Sequence, residues 1–471
     1  MNRRTFLHQS TLASVAVSTG SALNFSGRDL PTVRVAANQR NFRSQAVEDT
    51  IRMVRTQIKT TELGWLFENC FPNTLDTTVD FSMVNGRPDT YVITGDIDAM
   101  WLRDSTAQVW PYLPLMKQDE PLRQLIEGVI NRQTRNIRKD PYANAFYKDD
   151  TKVGEWKDDK TDMKPGLHER KWEIDSLCYP IRLAYAYWKQ TGSVAPFDAD
   201  WQDAMRLVVQ TFREQQRKTG NGPYKFERTT SWATDGVPLS GYGYPVRPVG
   251  LICSTFRPSD DATIFPFLIP ANFFAVTSLR QMADMLTALN GNATLIADAR
   301  ALAGEVETAL KQHAVVRHPR FGNVYAYEVN GFGSYNLMDD ANVPSLLAMP
   351  YLGSMPVSNP IYQNTRKLVL SQDNPFYFEG KAGAGIGGPH AGMDMIWPLS
   401  IIMRGMTSTD DREIRTCLNT LRASNAGTGF MHESFHKNDA SNFTRKWFAW
   451  ANTLFGEFVL KTFNDRRHLL S

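Results

Sequence analysis

FRPSDDATIFPFLIP (256–270), ANFFAVTSLRQMADML (271–286), TALNGNAT (287–294) and LIADARALAGEVETAL (295–310) are four consecutive segments of one chain. They read as a polar loop, a buried helix, a cap and an amphipathic helix. Ala271 to Leu286 is apolar on all sides, which a helix tolerates when it is buried. Leu295 to Leu310 repeats its apolar residues at three- and four-residue spacing, so one face is wet. Asn292-Ala293-Thr294 supplies N-cap chemistry for the second helix. The unit is a helical hairpin with an inner and an outer member and an acidic loop at its mouth.

The same unit recurs along the chain. Ala46 to Ile58, Pro121 to Ile137, Trp201 to Gln215 and Ile414 to Leu421 have the amphipathic period, and Ser408-Thr409-Asp410 caps the last. Ser105 to Leu115, Ile174 to Trp188, Pro344 to Leu352, Gly392 to Met403 and Ala449 to Phe463 are apolar all round. The two kinds alternate. Six loops ahead of the buried segments carry the unusual polar residues: Asp96, Asp98, Arg103 and Asp104; Glu173 and Asp175; Arg257, Asp260 and Asp261; Asp339 and Asp340; His390 and Asp394; His432 and Glu433. Six helical hairpins in a toroid, an (α/α)6 barrel of the all-α class, place those loops on one rim. An α-solenoid would need stronger repeat similarity. Strand signals are few: a hairpin from Thr78 to Thr94 around Asn85-Gly86, and a strand from Val324 to Val329.

Bulk composition is that of a globular protein. The chain has 471 residues, enough for a large core, and a net charge of +3 with no long basic run, which argues against a nucleic-acid partner. Eleven Trp and sixteen Tyr suit a sugar cleft, where flat apolar faces stack on pyranose rings, although most aromatics are core residues in any fold. At the N-terminus, Asn2-Arg3-Arg4-Thr5-Phe6-Leu7 has the twin-arginine pattern, followed by a short apolar stretch and the small residues Gly20-Ser21-Ala22. The expected layout is a signal over residues 1–22, a polar entry segment over 23–40 and one catalytic domain over 41–471. The product would be exported, periplasmic or extracellular, with no membrane insertion. Cys70, Cys178, Cys253 and Cys417 form no C-x-x-C pair and fit no zinc spacing; they read as small buried residues.

The motifs narrow the chemistry. Asp260 and Asp261 are adjacent, and like charges this close raise one another's pKa when partly buried, which keeps a carboxyl protonated as a general acid. Helix capping is the plain alternative. Glu433, beside His432 and ahead of Arg445, has the surroundings of a general base, with both neighbours as candidate donors. Two such carboxylates facing each other across a cleft are the acid and base of glycoside hydrolysis. Arg103 with Asp104 or Asp98 makes a fork for sugar hydroxyls, or a structural ion pair. Glu173 and Asp175 flank one residue, and helix-start capping accounts for at least one of them. Asp339-Asp340 lacks metal spacing, so hydroxyl binding or capping before Pro344 is expected. The glycine-rich run Gly380 to Gly388 lacks the G-K-[ST] ending of a nucleotide loop and reads as a close-approach loop delivering His390. No H-E-x-x-H and no G-x-S-x-G is present.

Six segments, WLRDSTAQ, EIDSLCYP, FRPSDDA, DDANVPSLL, GPHAGMDMIWPLS and MHESF with FTRKWFAWANTLFGE, together resemble the metal-independent exo-α-1,6-mannosidases, in order from about Asn41 onward. The resemblance implies an (α/α)6 barrel, inversion, and release of mannose from the non-reducing ends of α-1,6-linked mannosides, with no metal and no other cofactor. It also implies a general acid within Asp260-Asp261, with Asp260 favoured, and Glu433 as general base. Arg103, Asp104, Asp339, Asp340, His390 and Arg445 would hold the terminal mannose of an oligosaccharide or glycan. A glucoamylase-like hydrolase of another α-glycoside and a non-catalytic carbohydrate-binding protein are the alternatives. Intact carboxylates at both loops count against the second.

Overall fold

A computed structural model describes residues 30–470; the expected signal, residues 1–22, lies outside them. Thirteen α-helices carry the described part. In order they are α1 (Gln45–Gln57), α2 (Thr61–Cys70), α3 (Asn73–Thr77), α4 (Leu102–Val109), α5 (Glu120–Lys139), α6 (Ile174–Thr191) and α7 (Ala199–Gln215). Then come α8 (Ile269–Ala288), α9 (Ala293–His313), α10 (Pro360–Val369), α11 (Pro398–Met406), α12 (Asp411–Ala423) and α13 (Ala449–Asp465).

The toroid follows from which helices pack. Inner helices α4, α6, α8, α11 and α13 meet side by side, α4 against both α6 and α13. Outer helices α5, α7 and α9 pack on one another and back on the inner ring. The fold is the (α/α)6 barrel. Leu177, Ile181 and Leu183 of α6, and Phe274, Ala275 and Leu279 of α8, are fully buried. Each large side chain of that set contributes roughly 1.5–3 kcal/mol of transfer free energy. Cap chemistry starts the outer helices: Asn292 accepts from the Leu295 amide, Asp198 from Trp201, Asp119 from Leu122 and Asp410 from Arg412.

Three expectations change. Pro344 to Leu352 is buried as expected but is a chain of turns, not a helix. Pro350 has no amide hydrogen to continue a helical ladder, and Asp339 takes the Leu346 and Leu347 amides instead, at 2.8 and 3.0 Å. Helix α11 begins at Pro398 rather than Gly392, because Met395–Ile396 is a strand paired with Phe435 and His436. The stretch 324–329 is split between two sheets, Gly322–Tyr325 pairing with Val315–His318 and Glu328–Val329 with two other short strands. Helices α2, α3 and α10 have no counterpart in the sequence reading; α10 is the outer member opposite the turns 345–352. The hairpin around Asn85-Gly86 forms in register Val79↔Val92 to Val84↔Arg87, with both turn residues at positive φ, 51° and 78°.

All four cysteines are buried and unpaired. No helix among the described residues is long and apolar enough to cross a membrane.

Candidate active site

The FRPSDD loop is folded on itself before α8 begins. Arg257 N–H donates to the Asp261 carbonyl at 2.7 Å, and Asp260 N–H to the Arg257 carbonyl at 2.9 Å. Asp260 sits at φ 67°, in the left-handed region that a non-glycine residue occupies at a cost of about 1–3 kcal/mol. That turn points the two carboxylates apart. The Asp260 side chain keeps 21% of its surface and stands 3.6 Å from the Arg103 guanidinium, while Asp261 is buried. Asp261 accepts from Thr234 Oγ1 at 2.6 Å and Ser259 Oγ at 3.1 Å, and lies 3.9 Å from His390 Nδ1. Burial pushes the Asp261 carboxyl up to about 7; the like-charged neighbour that adds to the rise is Asp340 rather than Asp260, and Arg257 and Lys171 oppose it. The mutual effect expected of the doublet is thus replaced by burial. Neither residue caps a helix, since α8 starts at Ile269.

Arg103 is the centre of a buried acidic cluster. One nitrogen donates to Glu173 at 2.6 Å and Asp175 at 3.1 Å, and Nε lies 3.4 Å from Asp104. Glu173 makes no side-chain cap, so the capping expectation gives way to this ion cluster. Asp98, the other candidate partner of Arg103, is instead on the surface with Lys152 at 2.5 Å. Burial pushes the Asp104 carboxyl up to about 6, with Asp260 adding to the rise and Arg103 and Arg445 opposing it. Asp104 Oδ2 and Asp260 Oδ1 accept no hydrogen bond from the protein.

Glu433 comes from the other side of the ring. It immediately precedes Ser434–His436, a strand that pairs with Asp439–Thr444 and returns Thr444 and Arg445 to its side. Thr444 Oγ1 donates to Glu433 Oε2 at 3.0 Å, and Arg445 lies 3.4 Å from Oε1. The polar turn Lys437-Asn438 between two alternating runs is the signal by which this hairpin is legible in sequence. Arg445 rests over the Phe448 ring at 4.7 Å. His432 is not the second donor. Its ring stacks on Phe443 at 3.7 Å and its Nε2 faces Thr428 and the Asn425 carbonyl. Burial pushes its imidazole down to about 4.

Asp340 accepts from Ser259 Oγ at 2.9 Å and from Asn342, bracing the acidic loop from below. Asp339 is not brought to the cleft: it is fully buried, both oxygens are taken by backbone amides, and burial pushes its carboxyl up to about 8. The glycine-rich run does approach closely. A Cβ on Gly387 would lie 2.1 Å from the Met395 carbonyl, and one on Gly388 would lie 3.0 Å from the Asp340 carboxylate. His390 at its end packs edge-on to Trp397, centroids 5.9 Å apart. Arg257, read in sequence as a rim-loop residue, pairs with the buried Glu328 at 2.7 Å, and two buried groups are missed in sequence: Glu328 itself, and Lys171 with Asp235 at 2.6 Å.

A helical toroid with carboxylates from two distant loops meeting near one rim defines an (α/α)6-barrel glycoside hydrolase. The chain belongs to the metal-independent α-mannosidase family (GH125), whose sequence pattern matches residues 60–460. It is 43% identical over 459 residues to the meiotically up-regulated gene 157 protein of Schizosaccharomyces pombe, covering 94% of this chain and 90% of that protein. A metal-independent α-mannosidase of Streptococcus pneumoniae, solved in a non-productive complex with α-1,6-mannobiose, is 40% identical with a TM-score of 0.87. That match covers 90% of this chain and 100% of the other. A GH78 rhamnosidase of Bacillus sp. GL1 matches over 91% of this chain and 36% of its own, with a TM-score of 0.50 at 11% identity; that likeness shows the fold alone.

Proposed function

We propose that this protein removes mannose from the non-reducing ends of α-1,6-linked mannosides by single displacement with inversion. Family membership supports the α-mannosidase activity, and the mannobiose in the pneumococcal relative supports the linkage. The observation that carries the mechanism is the chain of ion pairs at the two loops: Arg103 lies 3.4 Å from Asp104 and 3.6 Å from Asp260, and Arg445 lies 3.4 Å from Glu433.

Asp260 is the general acid. Of the doublet it is the member with exposed carboxylate surface, whereas Asp261 is enclosed by Thr234, Ser259 and Asp340. It protonates the glycosidic oxygen as the bond to the leaving sugar breaks. Glu433 removes a proton from water on the opposite face of the ring, and that water adds to the anomeric carbon. Thr444 and Arg445 hold the Glu433 carboxylate in place, at 3.0 and 3.4 Å. Asp104 Oδ2 and Asp260 Oδ1 turn inward to Arg103, at 3.4 and 3.6 Å, and the exposed part of the Asp260 side chain is left to meet the sugar. Arg103, Asp104, His390 and Arg445 shape the terminal mannose site, and Asp340 acts through the loop it braces. A twin-arginine leader over residues 1–22 would export the catalytic domain, residues 41–471, after folding.

Proton NMR of α-1,6-mannobiose hydrolysis is the test. The first-formed mannose is the β anomer, and a chelator leaves the rate unchanged. An α anomer would mean retention and would sink the mechanism. Turnover of maltose instead of mannobiose would overturn the substrate.

A further inference from the structure

Lys171 lies beneath the acidic loop with 1% of its side-chain surface exposed. Nζ donates to the Asp260 main-chain carbonyl at 2.9 Å and to Asp235 Oδ1 at 2.6 Å, and lies 3.3 Å from Glu169. Its ammonium also stands 5.1 Å from the centre of the Phe256 ring. The pair Glu169 and Asp235 is shared with Arg228, which lies 2.9 Å from the first and 3.1 Å from the second. Arg228 is fixed in turn by Asp159 at 2.6 Å. A buried ionic network therefore ends in a single bond to the backbone of the one residue in the loop that occupies a left-handed conformation.

The loop is clamped from two further directions by the same neighbourhood. Thr234, next to Asp235, binds the Asp261 carboxylate through its hydroxyl and takes the Ala262 amide at 2.7 Å through its carbonyl. The Trp172 carbonyl, next to Lys171, takes the Phe256 amide at 3.0 Å. These contacts fix Asp261 and the ends of the loop. Of these three residues Lys171 is the one that holds Asp260, through the main-chain carbonyl, while the Asp260 carboxylate stands 3.6 Å from Arg103.

We propose that Lys171 is a positioning residue for the general acid: by holding the Asp260 carbonyl it keeps that residue turned so its carboxyl faces the glycosidic oxygen. The inference rests on the assignment of Asp260 as acid. It concerns orientation, so its signature is a dependence on how much protonation the leaving group needs. The charged and titratable groups that surround Asp260, and that any pH profile must be read against, are Arg103, Asp104, His168, Glu173, Asp175 and Lys171. Those around Lys171 are Glu169, Asp235, Arg228 and Asp260.

The experiment compares α-1,6-mannobiose with 2,4-dinitrophenyl α-mannoside, whose leaving group departs without a proton. Lys171→Met is expected to lower kcat on mannobiose about 100-fold and on the activated substrate less than about 5-fold, with KM on each little changed. Lys171→Arg, which keeps a cation donor, should recover most of the mannobiose rate. If Lys171→Met does not fold, Lys171→Met with Asp235→Asn keeps the charge balance and carries the same expectation. Equal losses on both substrates, or none, would overturn the proposal. Asp260→Asn run alongside separates the two readings: if it lacks the leaving-group dependence, the acid assignment itself fails, whatever Lys171 does.

Discussion

The Asp96 carboxylate and the Arg445 guanidinium meet at 2.5 Å although 349 residues separate them. A second hydrogen bond, from Nε at 2.9 Å, reaches the same oxygen, Oδ1. This contact joins the loop before the first inner helix to the loop before the last, where the ring closes. It also aims Arg445, at φ 42°, toward Glu433. Asp96→Ala leaves the guanidinium free to pair wholly with Glu433 or to swing away. We expect kcat to fall about 10- to 100-fold on α-1,6-mannobiose with native circular dichroism. An unchanged kcat would show that Glu433 needs no such support.

The two carboxylates differ in what their loss should do. Glu433→Gln removes the base and should lower kcat by about 10³-fold or more on every mannoside, since water must still be deprotonated. Asp260→Asn should lower it by about 10²- to 10⁴-fold on mannobiose and far less on an activated aryl mannoside. Asp261→Asn keeps the shape of a buried group whose oxygens accept from Thr234 and Ser259, and should stay within about 10-fold of the parent. Steady-state rates on the two substrates decide. If Asp261→Asn, not Asp260→Asn, shows the leaving-group dependence, the roles of the doublet are reversed.

Much of this arrangement is visible in sequence because the helical period writes burial into the chain. Ile174 to Trp188 and Ala449 to Phe463 start with α6 and α13 and end three and two residues short of them. What the period does not encode is which distant charges meet. Arg103 reads as the partner of its neighbour Asp104 or of Asp98, yet its shortest contact is Glu173, 70 residues on. Lys171 and Glu328 carry no motif, since a buried ion pair has no sequence spacing. The same limit explains the turns at 345–352: apolar composition gives their burial, but Pro350 and the Asp339 carboxylate decide their backbone.

Gly95 is a close-approach position that tests the ring closure. Its φ is 123°, and a Cβ there would lie 2.4 Å from the Trp447 carbonyl. It forms a bridge with Phe448, one residue before α13. Gly95→Ala must push this strand away from Trp447 and carry Asp96 off Arg445. We expect a loss of about 1–3 kcal/mol in urea unfolding, together with a fall in kcat like that of Asp96→Ala. Wild-type stability would mean that the closure is more pliant than its contacts imply.

His432 sets one pH dependence. Its imidazole is held down to about 4 by burial, below the ordinary 6.5, so the unfolded chain binds its proton first. Stability from this group is complete above about pH 6.5 and is lost as pH falls toward 4, by on the order of 3 kcal/mol at the limit. His432→Gln should flatten urea-unfolding stability between pH 7 and 4.5 relative to the parent. A parallel pair of curves would show that the ring takes up its proton in the folded state at no cost.

Arg103 sets the opposite one. Glu173, Asp175 and Asp104 are buried around a single guanidinium, and burial already raises all three carboxyls. A carboxyl whose folded pKa is raised above its unfolded value is tolerated below the unfolded pKa and costs stability as pH rises through the folded one. Arg103→Leu withdraws the charge that opposes those shifts, so the carboxyls rise further. Breaking a buried ion cluster by removing one partner typically costs about 3–5 kcal/mol. Here that cost should be largest near pH 8 and shrink toward pH 5, as protonation removes the unpaired charges. Urea unfolding of Arg103→Leu and the parent at the two pH values measures the difference. A penalty independent of pH would mean that Arg103 stabilises by packing over Trp450, 6.0 Å from its ring, rather than by neutralising the cluster.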